Sequence, residues 1–213
     1  MTRTTRAPRI ARRPAADART RILDAALHEF ATHGVAAAST NTIARKARVA
    51  KGLVFHHFAT KDELYLAVVD QVLARTTEAM FALAPMPADL FERLSALTLQ
   101  KLRVFQRDPL AYQFLMATTE APAALQARLE QRRVAIRVVT WPRFLVGIDA
   151  SRLRPGITLD QALETLMILG YGIEKQFLPR LAKLPDRGLS QIEEVTREVW
   201  AHFERLRDGI YTA

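Results

Sequence analysis

Residues 40–64 read TNTIARKARVAKGLVFHHFATKDEL and contain two short helical patterns on either side of a tight turn. The first runs from about Thr40 to Ala47 and the second from about Lys51 to His57, so only three residues separate them. Small alanines on the first helix, and Val54 and Phe58 at i and i+4 near the second, can pack on one core. The stretch therefore predicts a helix-turn-helix.

Helical patterns continue on both sides of this stretch. A first helix from about Asp17 to His33 has an apolar stripe and is followed by Gly34, a typical C-terminal cap. After the turn, Thr60 and Glu63 have the spacing of a capping box, in which the glutamate reaches back, for a fourth helix to about Arg75.

Five further helices are predicted downstream. Their start signals are Asp89, Asp108-Pro109, Pro122, and two capping boxes, Thr158 with Gln161 and Ser190 with Glu193. Trp141-Pro142 should kink or end the seventh helix, and the eighth should span Leu159 to Leu178. Strand-like alternation is absent, so the fold class is all-α. We expect a disordered basic arm at 1–16, a three-helix helix-turn-helix domain at 17–60, and a larger helical domain at 61–213.

The net charge of +9 is confined to the first part of the chain. Residues 1–61 contain 12 Lys or Arg and three acidic residues, whereas residues 62–213 contain 19 of each sign. This distribution indicates that the N-terminal part meets a polyanion. The alternative is a basic tail that is merely solvated.

The composition argues against several other classes of protein and of binding site. The chain has no cysteine, so neither disulfides nor thiolate metal sites are available, and a reduced cytoplasmic location is expected. The longest apolar stretch is well short of the ~20 residues that span a bilayer, so we expect no membrane association. The sequence shows no clustered acid, base or metal set, which argues against an enzyme and predicts no cofactor.

The outward face of the second helix of the motif could enter the major groove of double-stranded DNA, where base edges are distinguishable. Thr40 and Asn41 stand at a helix N-terminus, where free N–H groups favour a phosphate oxygen. Lys61 begins the next helix and could also contact the DNA backbone.

Over residues 17–70 the chain resembles the tetracycline-repressor-like (TetR) family of one-component regulators. The matching residues are Gly34, Thr40, Ile43, Ala44, Gly52, His57, Phe58, Lys61 and Leu64. The resemblance implies DNA-contacting roles for Thr40, Asn41, Lys51, Leu53, Phe55, His56, His57 and Lys61.

Two residues depart from the pattern of that family. Arg48 replaces the usual turn glycine, so a left-handed backbone there would be strained, or the arginine is oriented toward a phosphate. Phe55 replaces the usual tyrosine, and it could pack on a thymine methyl group or on the protein core. The adjacent pair His56 and His57 invites a metal interpretation, but neighbours on a helix point ~100° apart and do not chelate, so no metal is predicted.

The resemblance also implies an effector pocket and a dimer interface in the larger domain. Candidate pocket residues are Phe105, Tyr112, Met116, Trp141, Met167, Tyr171 and Phe177, although ordinary core positions would have the same residue types. The last helix has an apolar stripe, and the candidate interface residues are Ile192, Val195, Val199, Phe203 and Leu206, with a large monomer core as the alternative.

Together these features predict a homodimeric transcriptional regulator. It would act as a repressor on palindromic operator DNA and be released by a small hydrophobic ligand. The alternative is a sequence-tolerant DNA-binding or architectural protein without an effector.

Overall fold

The computed structural model describes residues 17–82, 86–182 and 191–210, and within these ranges it forms helices and no strand. This confirms the all-α prediction. The helices are α1 Ala18–Ala37, α2 Thr40–Ala47, α3 Lys51–His57, α4 Lys61–Phe81, α5 Leu90–Arg107, α6 Pro109–Ala117, α7 Ala123–Leu145, α8 Leu159–Ala182 and α9 Ile192–Ile210, with a short 3-10 turn at Thr118–Glu120.

Polar side chains fix the start of most helices. The hydroxyl of Thr60 accepts from the N–H of Glu63 at 3.1 Å, and Asp89 accepts from two N–H groups at the start of α5. Thr158 and Gln161 form both bonds of a capping box, at 3.2 and 2.9 Å. Because these bonds are local, the sequence was sufficient to predict them. The predicted box at Ser190 lies outside the described residues.

The capping box at Thr60 is completed differently from the prediction. The carboxylate of Glu63 does not reach back; it meets Arg128 of α7, with Oε1 2.5 Å from Nη2. A partner 65 residues away is not visible in a local pattern.

Two helices extend beyond their predicted ends: α4 continues to Phe81 rather than Arg75, and α8 continues to Ala182 rather than Leu178. Of the two outcomes predicted for Pro142, the proline does not end α7, which continues for three more residues to Leu145. The first helix breaks at Gly34, whose φ of 67° and ψ of 172° leave the helical region before one more turn forms.

Two buried clusters organise the molecule. The first joins α1–α4 to α6 and α7, and Tyr65 lies at its centre with its ring edge-on to Phe30 and to Phe114, at centroid distances of 5.0 and 5.4 Å. The second joins α5, the end of α7, α8 and α9 around Phe91, Phe144 and Phe203. The first cluster crosses the predicted domain boundary at residue 61, so the helix-turn-helix and the larger domain share a core.

Candidate nucleic-acid interface

The helix-turn-helix buries one face and exposes the other. Ile43 and Ala44 of α2 and Val54 of α3 are buried against α1 and α4. Along α3, Leu53 is half-buried, and the exposed residues are Lys51, Gly52, Phe55, His56 and His57. The structure thus gathers the predicted base-reading residues on the outward face of one short helix.

Arg48 ends α2 in the left-handed conformation, with φ 56° and ψ 49°. It is the only residue other than glycine with a positive φ in the described ranges. The left-handed backbone considered from the sequence is therefore present, and this conformation costs a β-carbon-bearing residue about 1–2 kcal/mol. The side chain is exposed, so it remains accessible to a phosphate.

Phe55 is 39% exposed, the largest exposed ring of the helix-turn-helix. Its two predicted roles, packing on a thymine methyl group and packing on the protein core, both stay predictions, because the ring is only partly exposed. A base methyl group could reach the exposed part of the ring.

Lys61 lies beside the start of α2. Its ammonium group donates to the carbonyl of Ala36 at 2.8 Å and to that of Ala38 at 3.4 Å. Ala38 precedes Thr40 by two residues, so the structure brings Lys61 and Thr40 to the same edge of the motif. Because an ammonium group has three donors, one remains for a phosphate.

Glu29 is a structural residue that the sequence did not reveal. Glu29 is only 3% exposed. Its carboxylate accepts a hydrogen bond from the N–H of Ser39 at 3.3 Å and another from the ammonium group of Lys46 at 3.1 Å. Burial alone would raise the pKa of Glu29, but these two hydrogen bonds and the charge of Lys46 outweigh it and hold the pKa below 4.5. Glu29 therefore ties α1 to the start and the end of α2.

The rings of His56 and His57 lie edge-on, with centroids 5.6 Å apart. Across the described part of the chain, no group of three His, Cys, Asp or Glu side chains is placed to hold a metal ion.

Among the described helices, none has the length and apolar character of a membrane span.

A cavity of about 550 Å³ opens between α4, α5, α7, α8 and α9. Of the predicted pocket residues, Trp141 lines it. Phe105, Tyr112 and Met116 instead form their own buried cluster, with the two rings 5.0 Å apart, so these three are core residues. The side chains of Met167, Tyr171 and Phe177 lie outside the described residues.

The structure describes the side chains of two of the predicted interface residues of α9. Phe203 is 7% exposed and belongs to the second cluster, and Leu206 is half-buried against it. Phe203 therefore packs inside its own chain, contrary to the prediction that it faces a partner. The side chains of Ile192, Val195 and Val199 lie outside the described residues.

Known proteins share both the motif and the fold. Residues 22–68 match the profile of bacterial regulatory proteins of the tetR family. The HTH-type transcriptional repressor Rv3405c of Mycobacterium tuberculosis is 46% identical over 72 residues, which cover 34% of this chain and 37% of that relative. The match thus spans little more than a third of that relative.

Two comparisons extend beyond the motif. The HTH-type transcriptional regulator BetI of Rhizobium meliloti is 30% identical over 145 residues, which are 63% of this chain and 70% of that protein. A crystal structure of a tetR family regulator from Shewanella superposes with a TM-score of 0.62 at 22% identity, covering 93% of this chain and all of that one, and shows the shared fold. The chain belongs to the tetR family of bacterial regulatory proteins.

Proposed function

We propose that this chain is a transcriptional repressor that binds palindromic operator DNA as a homodimer and releases it when a small hydrophobic effector binds. The observation that carries the proposal is the outward face of α3. Lys51, Phe55, His56 and His57 are exposed there on a helix whose other face is anchored by Val54. A helix held in this way can enter the major groove without rearrangement of the core.

The backbone contacts would come from groups beside that helix. Thr40 and Asn41 occupy the first turn of α2, Lys61 lies at the same edge, and Arg48 is exposed at the turn. A phosphate oxygen near the N-terminus of α2 would gain from free N–H groups and from the helix dipole.

The basic N-terminal segment joins the rest of the chain close to the proposed recognition helix α3. Arg19 lies over the ring of Phe58 with its guanidinium carbon 5.4 Å from the ring centroid. The hydrogen bonds with Thr20, and then the charges of Arg19 and His57, lower the pKa of Asp17. The segment 1–16, with five arginines, therefore joins the described chain at Asp17, beside the end of α3. Its arginines would add phosphate contacts and make DNA binding steeply dependent on salt.

The repressor and effector parts of the proposal rest on a named relative and on the cavity in the C-terminal part of the chain. Rv3405c is named a repressor. The cavity under α7 has the size range of small-molecule sites, about 300–1,000 Å³, and a mostly apolar lining. A ligand there would weaken DNA binding only if it favours a conformation in which the two α3 helices no longer match successive major grooves, ~34–36 Å apart.

The decisive experiment is footprinting on the DNA that flanks the gene of this chain. We expect one protected, inverted-repeat site and an affinity for it at least ~10³-fold higher than for a scrambled duplex at the same salt concentration. Equal affinity for the two duplexes would instead identify a sequence-tolerant DNA-binding protein.

Gly52 provides a variant that separates DNA contact from folding. It lies within α3, and a Cβ placed there would meet no atom of the described structure within 4 Å. Gly52→Ala should therefore raise the free energy of unfolding by up to about 1 kcal/mol through helix propensity, while the added methyl group keeps α3 from approaching DNA closely. Unfolding in urea and fluorescence anisotropy on the footprinted site measure the two effects. Unchanged DNA affinity would remove α3 from the interface.

A further inference from the structure

The cavity between α4, α5, α7, α8 and α9 has a mostly apolar lining and a single charged lining residue. Among the described residues that line it, Arg137 alone is charged and the two threonines, Thr77 and Thr140, are polar. The apolar lining comprises Met80, Phe81, Leu94, Leu97, Trp141, Phe144, Leu163, Leu166, Ile168 and Phe203. A lining of this kind fits a molecule with a large apolar part and one polar group.

Arg137 differs from the other described arginines of α7. Arg128 pairs with Glu63, Arg132 with Asp70, Arg133 with Glu130, and Arg143 with Glu78. The Arg137 side chain makes no ion pair or hydrogen bond within the ranges that the structure describes. Arg137 is therefore the one arginine of α7 that lines the cavity, its exposed side chain is available to a ligand, and a guanidinium binds a carboxylate through two parallel hydrogen bonds.

We propose that the cavity binds an amphipathic monocarboxylate, with the carboxylate on Arg137 and the apolar body among Phe81, Trp141 and Phe144. This inference rests on the proposed role of the cavity as the effector site and adds the chemical class of the effector. Charge complementarity selects an anion over a neutral or cationic molecule of the same shape.

Neighbouring charges set the direction in which the ligand lies. A smaller recess shares Trp141, Leu163 and Ile168 with the cavity and is bordered by Asp160 and Glu164 of α8. Two carboxylates on that side repel an anion, so the ligand head group lies on the α7 side and not at the start of α8.

The aromatic residues favour a flat apolar body. Trp141 and Phe144 are stacked, with centroids 5.3 Å apart and an interplanar angle of 21°, and both line the cavity. A ring inserted beside them gains offset or edge contacts beyond simple burial. An aryl carboxylate therefore fits the site better than a straight chain of equal length.

Matched acid and amide probes test the proposal on the full-length protein without DNA. The probes are 1-naphthaleneacetate and 1-naphthaleneacetamide, which differ only in the charged group, and binding is measured by isothermal titration calorimetry. We expect the acid to bind at least about tenfold more tightly than the amide, since a charge-assisted hydrogen bond is stronger than a neutral one. Arg137→Gln should abolish this preference while leaving the amide affinity unchanged, and Arg137→Lys should retain part of it.

Arg103→Gln is the matched control, because Arg103 is an exposed arginine on α5 that does not line the cavity. It removes the same charge and should leave the preference for the acid unchanged.

Three outcomes would each overturn the proposal: equal affinities of the acid and the amide for the wild-type protein, no binding of the acid at 1 mM, or an acid preference that survives Arg137→Gln. The titration contains no DNA, so its outcome is independent of the footprinting experiment. An acid that binds the cavity but does not release the operator would contradict the proposed function and leave the ligand class intact.

Discussion

At the scale of single residues, Arg48 is the position where folding and DNA binding make opposite demands. Its backbone is left-handed, which glycine adopts without strain, yet its charged side chain is exposed beside the proposed recognition helix. A residue that costs stability and is not needed for packing is best explained by a role outside the core.

We therefore expect Arg48→Gly to raise the free energy of unfolding by about 1 kcal/mol, because the left-handed strain disappears. The same variant should lower DNA affinity and reduce the slope of log K against log salt by about one, as expected for one lost phosphate contact. Urea unfolding and salt titrations measure the two effects. Arg45→Gly, inside α2, is the control and should lose about 1 kcal/mol of stability. An unchanged salt slope for Arg48→Gly would show that the arginine does not touch DNA.

The buried carboxylate of Glu29 makes the stability of the helix-turn-helix depend on pH. Its pKa in the folded state lies below the ordinary 4.5, so its contribution to stability is fully present above that pH and is lost as the pH falls through the folded pKa. Glu29→Gln should remove this part of the acid sensitivity and cost about 1–3 kcal/mol at pH 7, because the ammonium of Lys46 loses its charged partner. Urea unfolding at pH 7 and pH 4 compares the variant with the wild type. The exposed Glu204→Gln is the control, and an equal loss of stability in both variants at pH 7 would contradict this role.

At the scale of helices, Arg93 joins the start of α5 to the end of α7. It is 2% exposed, and its guanidinium donates to the carbonyls of Pro87, Phe144 and Val146 at 2.5, 2.6 and 2.7 Å. Two of these carbonyls belong to the C-terminal end of α7, where the helix dipole favours a cation. Leu94 and Phe144, next to these contacts, line the cavity, so Arg93 also positions two of its walls.

Arg93→Met should lower the free energy of unfolding by about 3 kcal/mol or more, because methionine fills much of the space and leaves three carbonyls without a donor. Arg103→Met, on the exposed face of the same helix, is the matched control and should stay within about 0.5 kcal/mol of the wild type. Chemical denaturation at neutral pH checks both values. A small loss at Arg93 would mean that the carbonyls find water once the guanidinium is gone.

Sequence patterns predicted local features and missed those that depend on distant partners. The caps at Thr60, Asp89 and Thr158 involve neighbours within three residues, and all three form. The cavity depends on five helices packing together, so residue type alone could not tell Trp141, which lines it, from Phe105, which does not. Local patterns did not single out Arg93 or Glu29, because their partners lie up to 53 and 17 residues away.

At the scale of the whole molecule, the structure changes how a dimer can be tested. Phe203 lies on the apolar stripe of α9, but it is buried against the second cluster and lines the cavity. A charge at this position would disrupt the core of its own chain before it affected a partner. An oligomerisation test therefore needs an apolar position that the chain itself leaves exposed.

Ile168→Glu should give a folded monomer, because Ile168 of α8 is an apolar side chain that is 69% exposed, and we propose that this face of α8 packs against a second copy. Phe203→Glu should instead lower the thermal stability and the near-UV circular dichroism of the C-terminal region, since a charge would be buried without a partner. Sedimentation velocity gives the oligomeric state of each variant, and thermal melts give its folding. Loss of the dimer should also reduce operator affinity sharply, because a single α3 can occupy only one half-site. An Ile168→Glu dimer with wild-type stability would show that this face of α8 is not the interface.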